Sequence, residues 1–81
     1  MRLDKYLKVA RLIKRRTVAN EACDAGRVSV NGKPARASYD VKTGDTITIL
    51  LGKQPLTVQV LEVSEHATKE SAGTMYRVVG D

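Results

Sequence analysis

The residues of this 81-residue chain best equipped for chemistry are its basic side chains, and they are unevenly placed. Residues 1–36 carry ten of them, Arg2, Lys5, Lys8, Arg11, Lys14, Arg15, Arg16, Arg27, Lys33 and Arg36, against three acids, for a net charge of +7. Residues 37–81 carry four bases and six acids, a net charge of −2. A field polarised in this way steers a polyanion to one end of the molecule, and every phosphate that is neutralised releases counterions. Arginine suits such a partner best, because its planar fork can bridge phosphates or stack on a base. A dispersed charge run would read as a solvated helical face; the concentration of the excess here points to nucleic acid.

The other reactive side chains stand alone. Cys23 is the single cysteine and has no His nearby to activate it, so it reads as a small core residue. His66 is the single histidine, which makes neither a metal site nor a triad. The sequence shows no nucleophile paired with a base, no metal-ligand cluster and no phosphate-cradling glycine loop, so neither catalysis nor a cofactor is expected. One cysteine and no secretory signal pattern imply a reducing cytoplasm. The apolar runs fall far short of the roughly 20 residues that span a bilayer, so no membrane partner is expected.

The basic residues need elements to hold them. Leu3, Tyr6, Leu7 and Ala10 fall within about a 100° arc at helical spacing, which predicts a helix over Leu3 to Ile13 with Arg2, Lys5, Lys8 and Arg11 on the opposite arc. Asp4 is the first-turn acid that suits the helix dipole, a local structural role. A second helix follows Lys14-Arg15-Arg16, with Thr17 as its cap, Val18, Ala19, Ala22, Cys23 and Ala25 on the apolar side, and Gly26 as its stop. Basic side chains at that helix start add to the free backbone N–H groups there as a place for an anion.

After Gly26 the period changes to alternation. Arg27-Val28-Ser29-Val30 predicts a strand and Asn31-Gly32 a tight turn, followed by extended Lys33-Pro34. Further strands are expected at Thr46 to Leu51, Leu56 to Val63 and Met75 to Val79, with a turn at Lys42-Thr43-Gly44-Asp45 and a loop over 64–73. The expected class is α+β: two N-terminal helices and a small antiparallel sheet in a single domain, 1–81. At this length the core is modest and an enclosed active site has little room.

Four fragments in series, Arg2-Leu3-Asp4-Lys5-Tyr6-Leu7, Arg16-Thr17-x-Ala19, Gly26-Arg27-Val28-Ser29-Val30-Asn31-Gly32 and Gly44-Asp45-Thr46-Ile47, resemble the S-four RNA-binding domain, the alpha-L motif. The resemblance covers residues 1–51 and leaves 52–81 as a C-terminal β extension. Within the family the likeness is to its short bacterial ribosome quality-control type, related to its heat-shock type. That implies binding to large-subunit ribosomal RNA, with peptidyl-tRNA and a tail-synthesising quality-control factor as further partners, on obstructed subunits during C-terminal alanine tailing. It also implies that Arg2 and Arg16 are the RNA-contacting positions; the other eight bases are an electrostatic extension. The alternative within the family is a general assembly or heat-shock-type large-subunit factor. Two departures stand out: Arg15 replaces the Ser of many members, and the long basic C-terminal extension of the heat-shock type is missing.

Other classes fit less well. S-four domains accompany catalytic domains, but the catalytic residues are lacking here. The predicted second helix exposes acids rather than the Arg, Asn or Gln of a DNA-reading helix. Few aromatics argue against a stacking platform for single strands. A protein contact through the acidic half stays open, and a monomer is expected.

Overall fold

The computed structural model describes residues 1–50, 52–64 and 73–79. Leu51, His66 and most of the expected 64–73 loop lie outside them.

Helix α1 spans Leu3–Val9, shorter than the periodicity predicts. The chain leaves it at Arg11, which takes a left-handed backbone with φ 62. The Arg11 N–H bonds the Lys8 carbonyl at 3.0 Å and the Leu12 N–H bonds the Leu7 carbonyl at 3.0 Å, the pair of bonds that closes a helix through a left-handed residue. Arginine occupies a place usually given to glycine, so no sequence signal marks the end. Ile13 is still buried, but as part of the connection and not of the helix.

Helix α2 spans Arg16–Asp24. Its N-cap is Arg15, with an extended backbone (φ −122, ψ 133) and no side-chain capping bond. The expected Thr17 cap is therefore corrected: Thr17 already lies in the first turn, because the chain turns helical at Arg16. The far end behaves as read. Gly26 has φ 79, its N–H reaches the Cys23 carbonyl at 3.0 Å, and the Arg27 N–H reaches that of Ala22 at 2.9 Å. Ala19, Ala22 and Cys23 are buried, but Val18 is 41% exposed and Ala25 is also on the surface, so the apolar face is narrower than expected. Val18 lies about 100° round the helix from Ala19, off the buried stripe.

The sheet runs in the order β2-β1-β3-β4-β5, with β1 at Val28–Val30, β2 at Lys33–Pro34, β3 at Thr46–Ile49, β4 at Leu56–Val60 and β5 at Tyr76–Val78. All neighbours are antiparallel. Strands β3, β4 and β5 are shorter than predicted: Leu50, the 61–63 stretch, Met75 and Val79 fall outside the ladders. Asn31 and Gly32 both have positive φ (53 and 85), the mirror-image turn that matches strand twist and joins β1 to β2 in two residues.

Strand alternation puts Val28, Val30, Ile47, Ile49, Val58 and Val60 on one face, against Leu3, Tyr6, Leu7 and Ala19 of the helices. The other face carries Ser29, Thr48, Thr57 and Gln59, with the Thr48 and Thr57 hydroxyls 3.3 Å apart. The helices thus lie on one side of the sheet, as expected of an α+β fold. Tyr6 is fully buried and donates from its hydroxyl to the Met75 carbonyl at 2.8 Å, which ties α1 to the chain entering β5. The segment ahead of α1 is strapped to 39–41: Leu3 N–H bonds the Tyr39 carbonyl and Val41 N–H the Met1 carbonyl, each at 2.8 Å. No helix among the described residues is long and apolar enough to cross a membrane.

Candidate nucleic-acid interface

The first two candidate residues meet through a third that carries the opposite charge. Asp4 is only 1% exposed, yet its carboxylate takes a full set of donors. Arg2 donates from Nε to Oδ1 at 3.2 Å and from Nη2 to Oδ2 at 3.4 Å. Arg16 donates from Nε to Oδ2 at 3.4 Å, Asn20 from Nδ2 to Oδ2 at 3.2 Å, and the Lys5 backbone N–H to Oδ1 at 2.8 Å. The local structure explains the convergence. Arg2 is the N-cap of α1, Arg16 is the first residue of α2, and Asn20 sits one turn after Arg16 on the same face.

A buried charge without partners is strongly unfavourable, so these donors are what allows Asp4 inside. Burial raises its pKa, and the bonds from Asn20, Arg2, Arg16 and the Lys5 N–H outweigh that, leaving the carboxyl below its ordinary value. Asp4 is ionised at neutral pH. Both arginines remain half exposed, at 51% and 48% of their side chains, so each is anchored at one edge and open to solvent at the other. Together with Thr17, Asn20 and Glu21 they line an open groove of about 500 Å³.

The remaining bases are placed as follows. Lys8, Arg11, Lys14 and Arg15 are exposed along the end of α1 and its connection to α2, and Lys5 is half-buried. Arg27 lines a second, smaller groove with Val18, Glu21 and Ala22; Glu21 borders both grooves. Lys33 lies on the edge strand β2 and Arg36 just beyond it, and the two share a third groove with Asn31 and Tyr39. The helix region thus gathers Arg2 and Arg16 directly, while Lys33 and Arg36 form a separate group. Behind that group, Asp45 accepts from Asn31 Nδ2 at 3.1 Å, the Lys42 N–H at 3.0 Å and the Tyr39 hydroxyl at 3.2 Å, which fixes the hairpin turn to the start of β3. The Gly-Asp pair of the last sequence fragment has a structural task.

Tyr6 and the cysteine are structural. Burial, with the Asp4 and Asp24 charges behind it, pushes the Cys23 thiol up to about 11, far from a reactive thiolate. Burial likewise raises Tyr6, and its ring is sealed in the core. Two participants were missed from sequence. The sequence gives Asp4 only a local dipole role and singles out no task for Asn20. The available signal was an acid between two bases in Arg2-Leu3-Asp4-Lys5 together with the four-residue spacing of Arg16 and Asn20.

Comparisons with known proteins show the family and the fold. The S4 domain family model matches residues 1–47. The chain is 54% identical over 79 residues to the RQC P-site tRNA stabilizing factor of Bacillus subtilis, covering 98% of this chain and 92% of that protein. It is 51% identical over 81 residues to the protein of the same name from Streptococcus pneumoniae, covering 100% of this chain and 92% of the relative. Among solved structures, trimeric heat shock protein 15 of Vibrio cholerae superimposes with a TM-score of 0.91 at 32% identity, covering 98% of this chain and 81% of that one.

Proposed function

The chain belongs to the S4 domain family, and from that premise we propose that it is a non-enzymatic RNA-binding factor of ribosome quality control. It engages ribosomal RNA and P-site tRNA on obstructed large subunits and assists C-terminal alanine tailing of stalled nascent chains. Arg2 and Arg16 are its principal RNA contacts, supported by Lys5, Lys8, Arg11, Lys14 and Arg15 around the helices and by Arg27, Lys33 and Arg36 beyond them.

The observation that carries this reading is the pair of half-exposed guanidiniums fixed on one buried carboxylate. Folded RNA is recognised through shape and phosphate position, because the deep major groove of an A-form helix excludes side chains. Rigidly placed forks suit that task, since each can engage a phosphate or base edge bidentately. The tRNA role rests on the names of the relatives above, and the alanine-tailing role on the family resemblance.

Crosslinking in cells followed by sequencing of the recovered RNA tests the reading. Large-subunit ribosomal RNA together with tRNA is the expected yield; messenger RNA alone or no RNA would overturn it. A heat-shock-type large-subunit factor is the second reading, favoured by the likeness to heat shock protein 15, and it predicts ribosomal RNA without enrichment of tRNA.

A further inference from the structure

We infer that Asp4 is a positioning residue for RNA binding, a buried anion that sets the geometry of Arg2 and Arg16 toward a phosphodiester, with Asn20 fixing Asp4 in turn. The inference rests on the proposed role of the two arginines in RNA binding. It concerns a residue that electrostatics alone would count against binding.

The geometry supports it in three steps. First, the arginines come from different elements, the cap of α1 and the start of α2, and the contact that unites them is the Asp4 carboxylate. Second, Asp4 takes the Nε–H of both guanidiniums and one N–H of Arg2 Nη2, which leaves both Nη groups of Arg16, and Nη1 with the second Nη2 N–H of Arg2, for a ligand at the groove. Third, Asn20 and the Lys5 N–H hold the carboxylate itself, so its position does not depend on the arginines alone. Two long side chains that would otherwise be ordered only on binding are thus ordered beforehand, an effect worth roughly tenfold in affinity.

Charge and positioning predict opposite signs here, and this makes the inference testable. Asp4 and Glu21 both line the groove, so neutralising either removes one negative charge beside an incoming phosphate. Electrostatics predicts that both substitutions tighten binding. Positioning predicts that Asp4→Asn weakens it while Glu21→Gln, at an exposed residue, tightens it.

The probe is purified bacterial large ribosomal subunits, with affinity read by co-sedimentation over a range of protein concentrations at fixed salt. Thermal melts choose a temperature at which every variant is folded. The expected result is roughly tenfold weaker binding for Asp4→Asn, a smaller loss for Asn20→Ala, and about twofold tighter binding for Glu21→Gln. Tighter binding by Asp4→Asn overturns the positioning role while the proposed function stands. If Asp4→Asn fails to melt cooperatively, Asn20→Ala decides in its place, since it changes no charge: affinity equal to wild type overturns the role. If the wild-type protein does not pellet with subunits, the proposed function fails and this inference falls with it.

Discussion

The Nε of Arg16 lies 3.4 Å from Oδ2 of Asp4, so the start of the second helix is tied to a carboxylate buried in the first. That tie is ionic and therefore depends on pH. The folded state holds the Asp4 pKa below its ordinary 3.8, so the stabilisation is complete above that value and is lost as pH falls through the lower folded value. Asp40, lowered by the hydrogen bond and charge of the Met1 amine, adds an acid limb of the same sign, so wild type alone cannot isolate Asp4. Its difference from Asp4→Asn can. In thermal melts by circular dichroism the gap in Tm between the two proteins should be full above about pH 5 and should shrink below about pH 4. A gap constant from pH 3 to 7 would show that the substitution acts through packing.

The Arg2→Ala, Arg16→Ala protein should lose association with large subunits at moderate salt. Hydrogen bonds to charged groups contribute about 1.5–3 kcal/mol each, so two lost forks exceed the range in which a pelleting assay detects binding. Asp4 keeps the Asn20 and Lys5 donors, and the far-ultraviolet spectrum should stay that of the folded protein. Replacing both arginines with lysine separates charge from shape: the total charge is kept, yet binding should still weaken because a lysine offers no fork. Undiminished pelleting of the double alanine variant would remove these residues from the interface.

Tyr6→Phe should cost only about 1 kcal/mol, although its hydroxyl bond to the Met75 carbonyl is fully buried. The reason lies in the acceptor: that carbonyl also receives the Leu61 N–H at 2.8 Å and the Glu62 N–H at 3.1 Å, so it is not left unsatisfied. Tyr6→Ala, by contrast, opens a cavity in the core and should cost roughly 3–5 kcal/mol. Urea unfolding of the two variants checks the contrast, and equal losses would mean that the hydroxyl rather than the ring holds this part of the core.

The parts of this fold legible in the sequence are those with a local cause. Gly26 announces the end of α2 because glycine accepts positive φ freely, and Asn31-Gly32 announces the hairpin for the same reason. The alternation of Val28, Val30, Ile47 and Ile49 marks the inner face of the sheet. What was hidden depends on contacts distant in sequence or on a rule broken locally. Asp4 meets Asn20 across 16 residues, and nothing in either stretch alone reveals the pair. The strands stop early because their ladders end, although residues such as Leu50 continue the β pattern. The end of α1 was hidden because Arg11 adopts the conformation of a glycine.

That last residue separates stability from binding. Arg11 closes α1 with φ 62, where a side chain with a Cβ is disfavoured by about 1 kcal/mol relative to glycine. Its side chain is exposed, and it belongs to the proposed RNA-binding group beside α1. Arg11→Gly should therefore stabilise the fold by about 0.5–1 kcal/mol in urea unfolding, because the two closing bonds to Lys8 and Leu7 use backbone groups that glycine also has. The same variant should bind large subunits more weakly. If Arg11 contacts a phosphate, the slope of log affinity against log salt should also become shallower by roughly 0.7–0.9, the share of one phosphate. The two measurements move in opposite directions only if the strained backbone is kept for the sake of the side chain. A variant that is more stable and binds with unchanged affinity and salt slope would place Arg11 outside the interface.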